Sequence, residues 1–392
     1  MAINIRKNNQ LSQMSALMSN KSIKSIYVKI GNESKCVWGM DMFPFTYTED
    51  ENGVEITGLK QDVQIKNLII PEKIGEKKVY SIKSDAFKNN TFIENVFIPD
   101  TVEKIGLAAF KGCTSINTIR IPFVGETATA EGPNQVFGFI FGYQRTNSVS
   151  TVNGAINQYS QYENLISGNQ KMLYWYFIPT SIKNITIGKA SQTISSSAFA
   201  RLSGLDCIDI GDAVETIDTL AFYACEADTV IIGKKVKSIR GGIHNGICNL
   251  ILNAEDLSNF TNIEKGVFTK CTTLKTVTVG VSVKKMHSKL FYYGQSIETI
   301  NWNAQNCQNR AGSDNLFGSC TKAKRINIGR DVEYLDHDLF AGRSTLSTIA
   351  TVITFAGTMS QWEALINKSS PYWDRDIEYS VIHCTDGDIP KV

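Results

Sequence analysis

The stretch Val102-Glu-Lys-Ile-Gly-Leu-Ala-Ala-Phe-Lys-Gly-Cys-Thr-Ser-Ile-Asn-Thr-Ile-Arg-Ile-Pro122 repeats the landmarks of the segment before it. Val79-x-x-Ile82, Ala86-Phe87, Ile93, Val96 and Ile98-Pro99 each precede their counterparts by 23 residues, as Phe87 precedes Phe110. The same offset separates Phe199 from Phe222, Phe268 from Phe291 and Phe317 from Phe340, so eight phenylalanines mark eight coils. A ninth, degenerate coil is expected through Val236, Ile239, Ile247 and Leu250 to Leu252, where glycines replace the Phe. Self-similarity at a fixed short period is the signature of a solenoid, whose units bury their apolar faces only by stacking on one another.

Within the period, Ile119/Ile121, Ile208/Ile210, Val277/Val279 and Ile326/Ile328 alternate with period 2 and read as short strands. Val214/Ile217, Val283/Met286 and Val332/Leu335 repeat the Val-x-x-Ile step. The Ala-Phe segments are too short for independent helices, so they are expected as one-turn or 3-10 corners whose Phe plugs the coil interior. Three residues after the marker stand Cys113, Cys225, Cys271 and Cys320, with Asn90, Leu202, Gly294 and Arg343 at the same place in other coils. Stacked coils bring equivalent positions to about 4.8 Å, where Cys serves as a small buried hydrophobe. The nine cysteines are odd in number and show no paired framework, so reduced thiols are expected.

Composition bounds the function. The chain is 42% hydrophobic and 20% charged with 8 Pro, which is that of an ordered protein. Forty Lys and Arg against 38 Asp and Glu, without long blocks of either sign, argue against nucleic acid as a partner. No run reaches the roughly 18 apolar residues of a membrane span, and Met1 to Ile30 lacks the apolar core of a secretory signal, so neither membrane insertion nor Sec export is expected. Four histidines stand in no recognisable motif, and the sequence has no phosphate loop or Cys-x-x-Cys. No catalytic residue, metal site or cofactor is therefore expected. The acids Asp374, Asp376, Glu378, Asp386 and Asp388 could gather for calcium, but beside Trp373 and Tyr379 they read as the solvated face of a capping hairpin.

Period and pattern together resemble the BspA-type leucine-rich repeat, from roughly Val54 to Asp388. The likeness includes pieces outside the bare repeat: Ile121-Pro-Phe-Val-Gly125 with Phe137-Gly-Phe-Ile-Phe-Gly142, Trp302-Asn-Ala-Gln-Asn-Cys307, Phe355-Ala-Gly-Thr-Met-Ser-Gln-Trp362 and Ile382-His-Cys-Thr-Asp-Gly387. It implies a mainly β leucine-rich-repeat solenoid of 23-residue coils with short helical or 3-10 corners, one long insertion and terminal caps. It also implies adhesion to a host protein, polysaccharide or cell, without enzymatic activity.

The first fifty residues depart from the repeat. Ile23 to Trp38 reads as a β-hairpin with Ile26, Val28 and Ile30 alternating about a Gly31-Asn32 turn, and it resembles modules at the start of phage tail and fibre proteins. Residues 1–50 are accordingly expected to form an N-terminal arm and docking module, 51–353 the solenoid, 123–177 its insertion and 354–392 the C-terminal cap. The insertion is rich in Tyr, Asn, Ser and Gln; Tyr143, Tyr159, Tyr162, Tyr174 and Trp175 are its candidate contacts with sugar or protein, while Phe137, Phe139 and Phe141 alternate and pack on the solenoid, with the same packing as the alternative for Trp175 and Phe177. The expected function is a binding protein displayed on a phage particle or bacterial surface, with a structural scaffold as the alternative. Expected partners are a protein or glycan on a host or bacterial cell, other virion proteins through residues 1–38, and further copies of the chain; the expected location is the virion.

Overall fold

A computed structural model describes, side chains included, residues 44–147, 151–160, 171–240, 246–258, 271–288, 290–291, 294–307, 316–317, 320–337, 339–340, 351–375 and 377–391. For 2–7, 10–19, 22–30, 33–39, 161–165, 168–170 and 308–309 it describes the backbone alone. Phe268, Arg343, His244 and the Gly31-Asn32 turn thus lie outside the described residues.

Short segments rich in β-branched residues cannot satisfy their own backbone groups, so each Ile-x-Ile or Val-x-Val run pairs with its equivalent in the next coil. The result is a 13-stranded sheet running from Asn67–Ile69 to Asp388–Pro390, parallel at every step except the last. Leu68, Val96, Ile119, Ile185, Ile208, Val230, Leu250, Val277, Ile300, Ile326, Ile353 and Ile382 face one another in one inward row. All are buried. The period of 23 holds from Val96 to Ile119, Ile185 to Ile208 and Val277 to Ile300, but shrinks to 20 in the degenerate coil, Val230 to Leu250, and reaches 29 from Ile353 to Ile382. The register absorbs these changes because they fall between the strands.

The Val-x-x-Ile steps build the second side. Thr193–Ile194, Thr216–Ile217 and Ser238–Ile239 pair in parallel, as do Asp256–Leu257, Lys285–Met286 and Gln308–Asn309. Its N-terminal end is a hairpin, Phe45–Glu49 with Val54–Leu59, whose second strand runs parallel to Lys77–Ile82.

The corners differ in detail from the expected 3-10 turns. At four of the markers the residues two before and two after the Phe take left-handed backbone: Asp85 and Asn89 around Phe87, Ala108 and Gly112 around Phe110, Ser197 and Arg201 around Phe199, Leu220 and Ala224 around Phe222. This alternation turns every second N–H along the solenoid axis, while those between, of Ala86, Lys88 and Asn90, close bonds within the coil to Lys83, Asp85 and Phe87. Asp85, Phe87 and Asn89 donate to the carbonyls of Leu107, Ala109 and Lys111 in the next coil, at 3.2, 2.8 and 2.7 Å. A 3-10 turn would spend those donors within its own coil.

The marker rings form an interior column. Phe45 sits edge-on to Phe87, which stacks on Phe110 at 5.2 Å; Phe199 stacks on Phe222 at 5.3 Å, Phe291 on Phe317 at 5.1 Å and Phe317 on Phe340 at 5.8 Å. The insertion supplies a rung of this column. Phe137–Phe141 is a 3-10 helix with all five residues buried, so Phe137, Phe139 and Phe141 do not alternate as a strand would. Phe141 meets Phe110 at 6.5 Å and Phe137 meets Phe199 at 6.1 Å. The main sheet meanwhile passes directly from Thr118–Ile121 to Asn184–Ile187.

At the C-terminus, Thr358 and Gln361 form a reciprocal capping box that starts the helix Met359–Ile366. Trp362 and Trp373 extend the aromatic column beyond Phe340. The final strand, Asp388–Pro390, pairs antiparallel with Val381–His383 and ends the sheet on a proline, which offers no N–H to a further strand. In the N-terminal segment, Ala2–Lys7, Gln10–Ser19, Ser22–Ile30 and Glu33–Gly39 form a separate four-stranded antiparallel sheet, with Ile30 opposite Glu33.

None of the eight cysteines from Cys113 to Cys384 is in a disulfide. Cys113, Cys225, Cys271 and Cys320 are buried behind the corners, and the Cys113 thiol donates to the Phe87 carbonyl at 3.0 Å. Gly294 holds the equivalent place beside Cys320; a methyl there would come within 2.9 Å of the Phe291 carbonyl oxygen.

Phe110→Ala is expected to lose about 3–5 kcal/mol in denaturant unfolding, because the stacked coils cannot collapse into the cavity. Leu220, left-handed and 40% exposed, carries a steric cost of about 1–2 kcal/mol that glycine relieves at some cost in chain entropy; Leu220→Gly is expected to gain up to about 1 kcal/mol. Burial pushes the Cys113 thiol up to about 11 and those of Cys225, Cys271 and Cys307 to about 12, from an ordinary 9.0. Native thiol titration at pH 8 is expected to leave all four unlabelled. Because the unfolded chain ionises first, their stabilising contribution is complete below about pH 9 and is lost as pH rises through about 12, which denaturant midpoints across that range would report.

Candidate functional site

In a strand, the residue between two inward apolar ones faces the opposite way. In four successive coils of the main sheet that residue is Thr278, Asn301, Asn327 and Thr354, each half-buried between two buried neighbours. Parallel register sets Thr278 beside Asn301, Asn301 beside Asn327, Asn327 beside Thr354 and Thr354 beside His383; His383 faces Asp388 on the closing strand. Coil stacking thus converts residues scattered along the C-terminal half of the chain into one straight row.

The row is hydrogen-bonded in a single direction. Thr354 Oγ1 donates to Asn327 Oδ1 at 2.7 Å, Asn327 Nδ2 to Asn301 Oδ1 at 2.7 Å, and Asn301 Nδ2 to Thr278 Oγ1 at 2.9 Å. At the end of the row, His383 Nδ1 lies 2.9 Å from Asp388 Oδ1. A primary amide has two donors and two acceptor sites, so beyond these bonds each Asn keeps one N–H and one lone pair for a ligand.

A groove of about 500 Å³ opens over this row, with Asn303, Gly329, Ala356 and Thr385 among its borders. Gly329 keeps one wall low: a methyl there would lie 2.5 Å from Asn303 Oδ1. The lining contains Thr, Asn, His and Cys but no Asp, Glu, Lys or Arg, in a chain with 78 such residues (40 basic and 38 acidic). Apart from His383 and the Asp388 that holds it, its polar groups are the hydroxyls and amides of Thr and Asn on a stiff sheet.

The aromatic candidates in the insertion divide by burial. Tyr143–Thr146, Gly168–Tyr176 and Ile156–Leu165 form a three-stranded antiparallel sheet, in which Tyr143 and Tyr159 meet Tyr174 edge-on at 5.2 and 5.7 Å. Tyr174 is 3% and Trp175 9% exposed, so both carry packing and present no open ring face. Tyr143 and Tyr159 are half-buried; the Tyr162 side chain lies outside the described residues. Gln158 staples this sheet to the solenoid: its Oε1 accepts from the Gly138 N–H at 2.8 Å and its Nε2 donates to the Ala200 carbonyl at 3.0 Å.

Among the described residues the C-terminal acids do not converge. Asp374 accepts from the Tyr379 hydroxyl at 2.7 Å, Asp386 from the Met359 N–H at the helix start at 2.8 Å, and Asp388 partners His383; Asp376 is outside the described residues. Among the described residues no three of His, Cys, Asp and Glu could hold a metal ion together, and no helix is long and apolar enough to cross a membrane.

The polar row is absent from the sequence-based candidates. Its signal is visible in retrospect as the middle residue of Val-Thr-Val279, Ile-Asn-Trp302, Ile-Asn-Ile328 and Ile-Thr-Phe355, but those triplets read first as core markers.

The family model for the BspA type leucine rich repeat region matches in 6 copies, over residues 60–131, 170–254 and 248–360. Among solved structures, a leucine rich cell surface protein from Faecalibacterium prausnitzii is 15% identical with a TM-score of 0.30, covering 82% of this chain and 96% of that one. A leucine-rich repeat protein from Bacteroides ovatus is 15% identical with a TM-score of 0.21, covering 86% and 98%. The pneumococcal vaccine antigen PcpA is 13% identical with a TM-score of 0.25, covering 93% and 98%. A comparison with curated proteins returns no match. The family model accounts for more than half of the 392 residues, and the chain belongs to the BspA-type leucine-rich repeat family.

Proposed function

We propose that this chain is a non-enzymatic adhesion protein that holds its ligand on the outward face of the main sheet, at the groove over Thr278, Asn301, Asn327 and Thr354. One observation carries this reading: a row of side chains fixed by register and by mutual hydrogen bonds, yet with donors and acceptors left over, inside an open groove. A preordered row loses little entropy on binding. His383 is tied to Asp388, and the Thr354 hydroxyl beside it donates to Asn327 rather than to the imidazole, which favours recognition over turnover.

The ligand in this reading is a protein or glycan on a host or bacterial cell. Tyr143, Tyr159 and Tyr162 of the insertion would form a secondary contact, with Tyr174 and Trp175 as their support. Residues 1–38 would attach the protein to a larger assembly, a phage particle or a cell envelope; their strands hydrogen-bond as a sheet of their own, which favours a separate role.

Asn327→Arg puts a long charged side chain into the groove from a half-buried surface position. It is expected to reduce retention of the protein on intact bacterial and epithelial cells by at least about tenfold, a loss of roughly 1.4 kcal/mol, with the fold kept as read by circular dichroism. Equal retention of the wild type and the variant would remove the groove from the adhesion surface. Deleting Met1 to Trp38 is expected to leave a folded solenoid that still binds cells but no longer joins its parent assembly, and normal incorporation of the truncated chain would rule out the attachment role.

A further inference from the structure

We infer that the groove over the Thr-Asn-Asn-Thr row binds a neutral polysaccharide, a glycan free of carboxylate, sulfate and phosphate, laid along the solenoid axis across the strands from Thr276–Val279 to Val381–His383. The inference rests on the adhesion reading and names its ligand class. Three features of the groove carry it.

The first is charge. No Asp, Glu, Lys or Arg lines the groove; Arg325 stands two residues before Asn327 on the same strand, in the parallel outer row. Arg330, whose Nε donates to the Ala356 carbonyl at 3.3 Å, and Asp388, which holds His383, stand at the rim; over the Thr-Asn-Asn-Thr row itself a sulfated, phosphorylated or carboxylated polymer finds no cation, while a neutral one needs none.

The second is the repeat. Asn301 and Asn327 occupy identical places in adjacent coils, so their spare amide N–H and lone pair recur at the strand spacing of about 4.8 Å. A sugar hydroxyl is donor and acceptor at once and can answer both halves of an amide. A polymer of like units presents such hydroxyls again on each unit, so both amides can be answered in turn.

The third argues against a peptide. Protein ligands are usually anchored by aromatic or Arg side chains in desolvated pockets, and the aromatic ring in this lining, Phe355, is itself 3% exposed and part of the core. Nor can a peptide add as a strand, because the backbone of each strand from Thr276–Val279 to Val352–Phe355 is already paired on both sides.

The test uses the full chain on surfaces carrying immobilised dextran, mannan, xylan, galactan or mixed-linkage β-glucan, with heparin, hyaluronate and casein as comparison surfaces, read by biolayer interferometry. Binding is expected to at least one neutral polysaccharide and to neither heparin nor hyaluronate. The double variant Asn301→Ala/Asn327→Ala is expected to weaken that binding by at least about tenfold, since two amides are lost. Asn249→Ala, a solvent-facing amide on the same sheet outside the groove, is expected to bind like the wild type and controls for general loss of the sheet. The inference is overturned if no neutral polysaccharide binds, if casein or the charged polymers bind instead, or if the double variant, folded by circular dichroism, binds as tightly as the wild type. If Asn327→Arg still abolishes retention on cells in such a case, the adhesion reading survives and only the ligand class fails.

Discussion

Every coil of this protein depends on its neighbour for backbone hydrogen bonds that it cannot make by itself. The main strands, the two-residue steps of the second side and the left-handed corners all direct N–H and C=O groups along the axis, and buried groups of this kind are costly to leave unpaired. Phe87 shows this in one residue: its ring stacks on Phe110 while its N–H bonds to the Ala109 carbonyl of the same next coil. Side-chain column and backbone ladder therefore share one register. A shift in either would break both.

That constraint explains where variation is tolerated. Coil lengths from 20 to 29 residues and an insertion of dozens of residues leave the strand pairing intact, because extra chain leaves and re-enters between fixed rungs. The glycines and cysteines behind the strands and corners mark the tightest approaches. A methyl on Gly233 would lie 1.7 Å from the Gly211 carbonyl oxygen, so the size of these residues is set by the coil spacing. Surface ion pairs between coils, such as Lys66 with Glu94 and Lys275 with Glu298, are well exposed and contribute little beside these contacts.

The same stacking that builds the core also builds the candidate site. One polar residue per coil has little meaning alone, but four in register become a hydrogen-bonded row on a rigid support, with His383 and Asp388 at its end. The ends of the solenoid are closed by different means. Phe45 and its hairpin cover the first rings, whereas Trp362, Trp373 and a proline-bearing strand close the last.

The spacing of Phe markers and Ile-x-Ile runs determined the solenoid, its mainly β character and the burial of Cys113, Cys225, Cys271 and Cys320, because a period is a property of the sequence and stacking is its necessary consequence. The degenerate coil through Val236 and Leu250 was legible for the same reason, since its strand keeps the inward apolar pattern even without a Phe. Three things were decided only by the tertiary structure. Phe137–Phe141 reads as alternating until the gap between Phe110 and Phe199 winds it into a fully buried 3-10 rung. Tyr174 and Trp175 read as contact residues until the sheet of the insertion folds over them. The Thr-Asn-Asn-Thr row has no local signature, because coils of 23, 26 and 27 residues bring its members together. Only the hydrogen-bonded register, which is blind to the length of chain between strands, can align them.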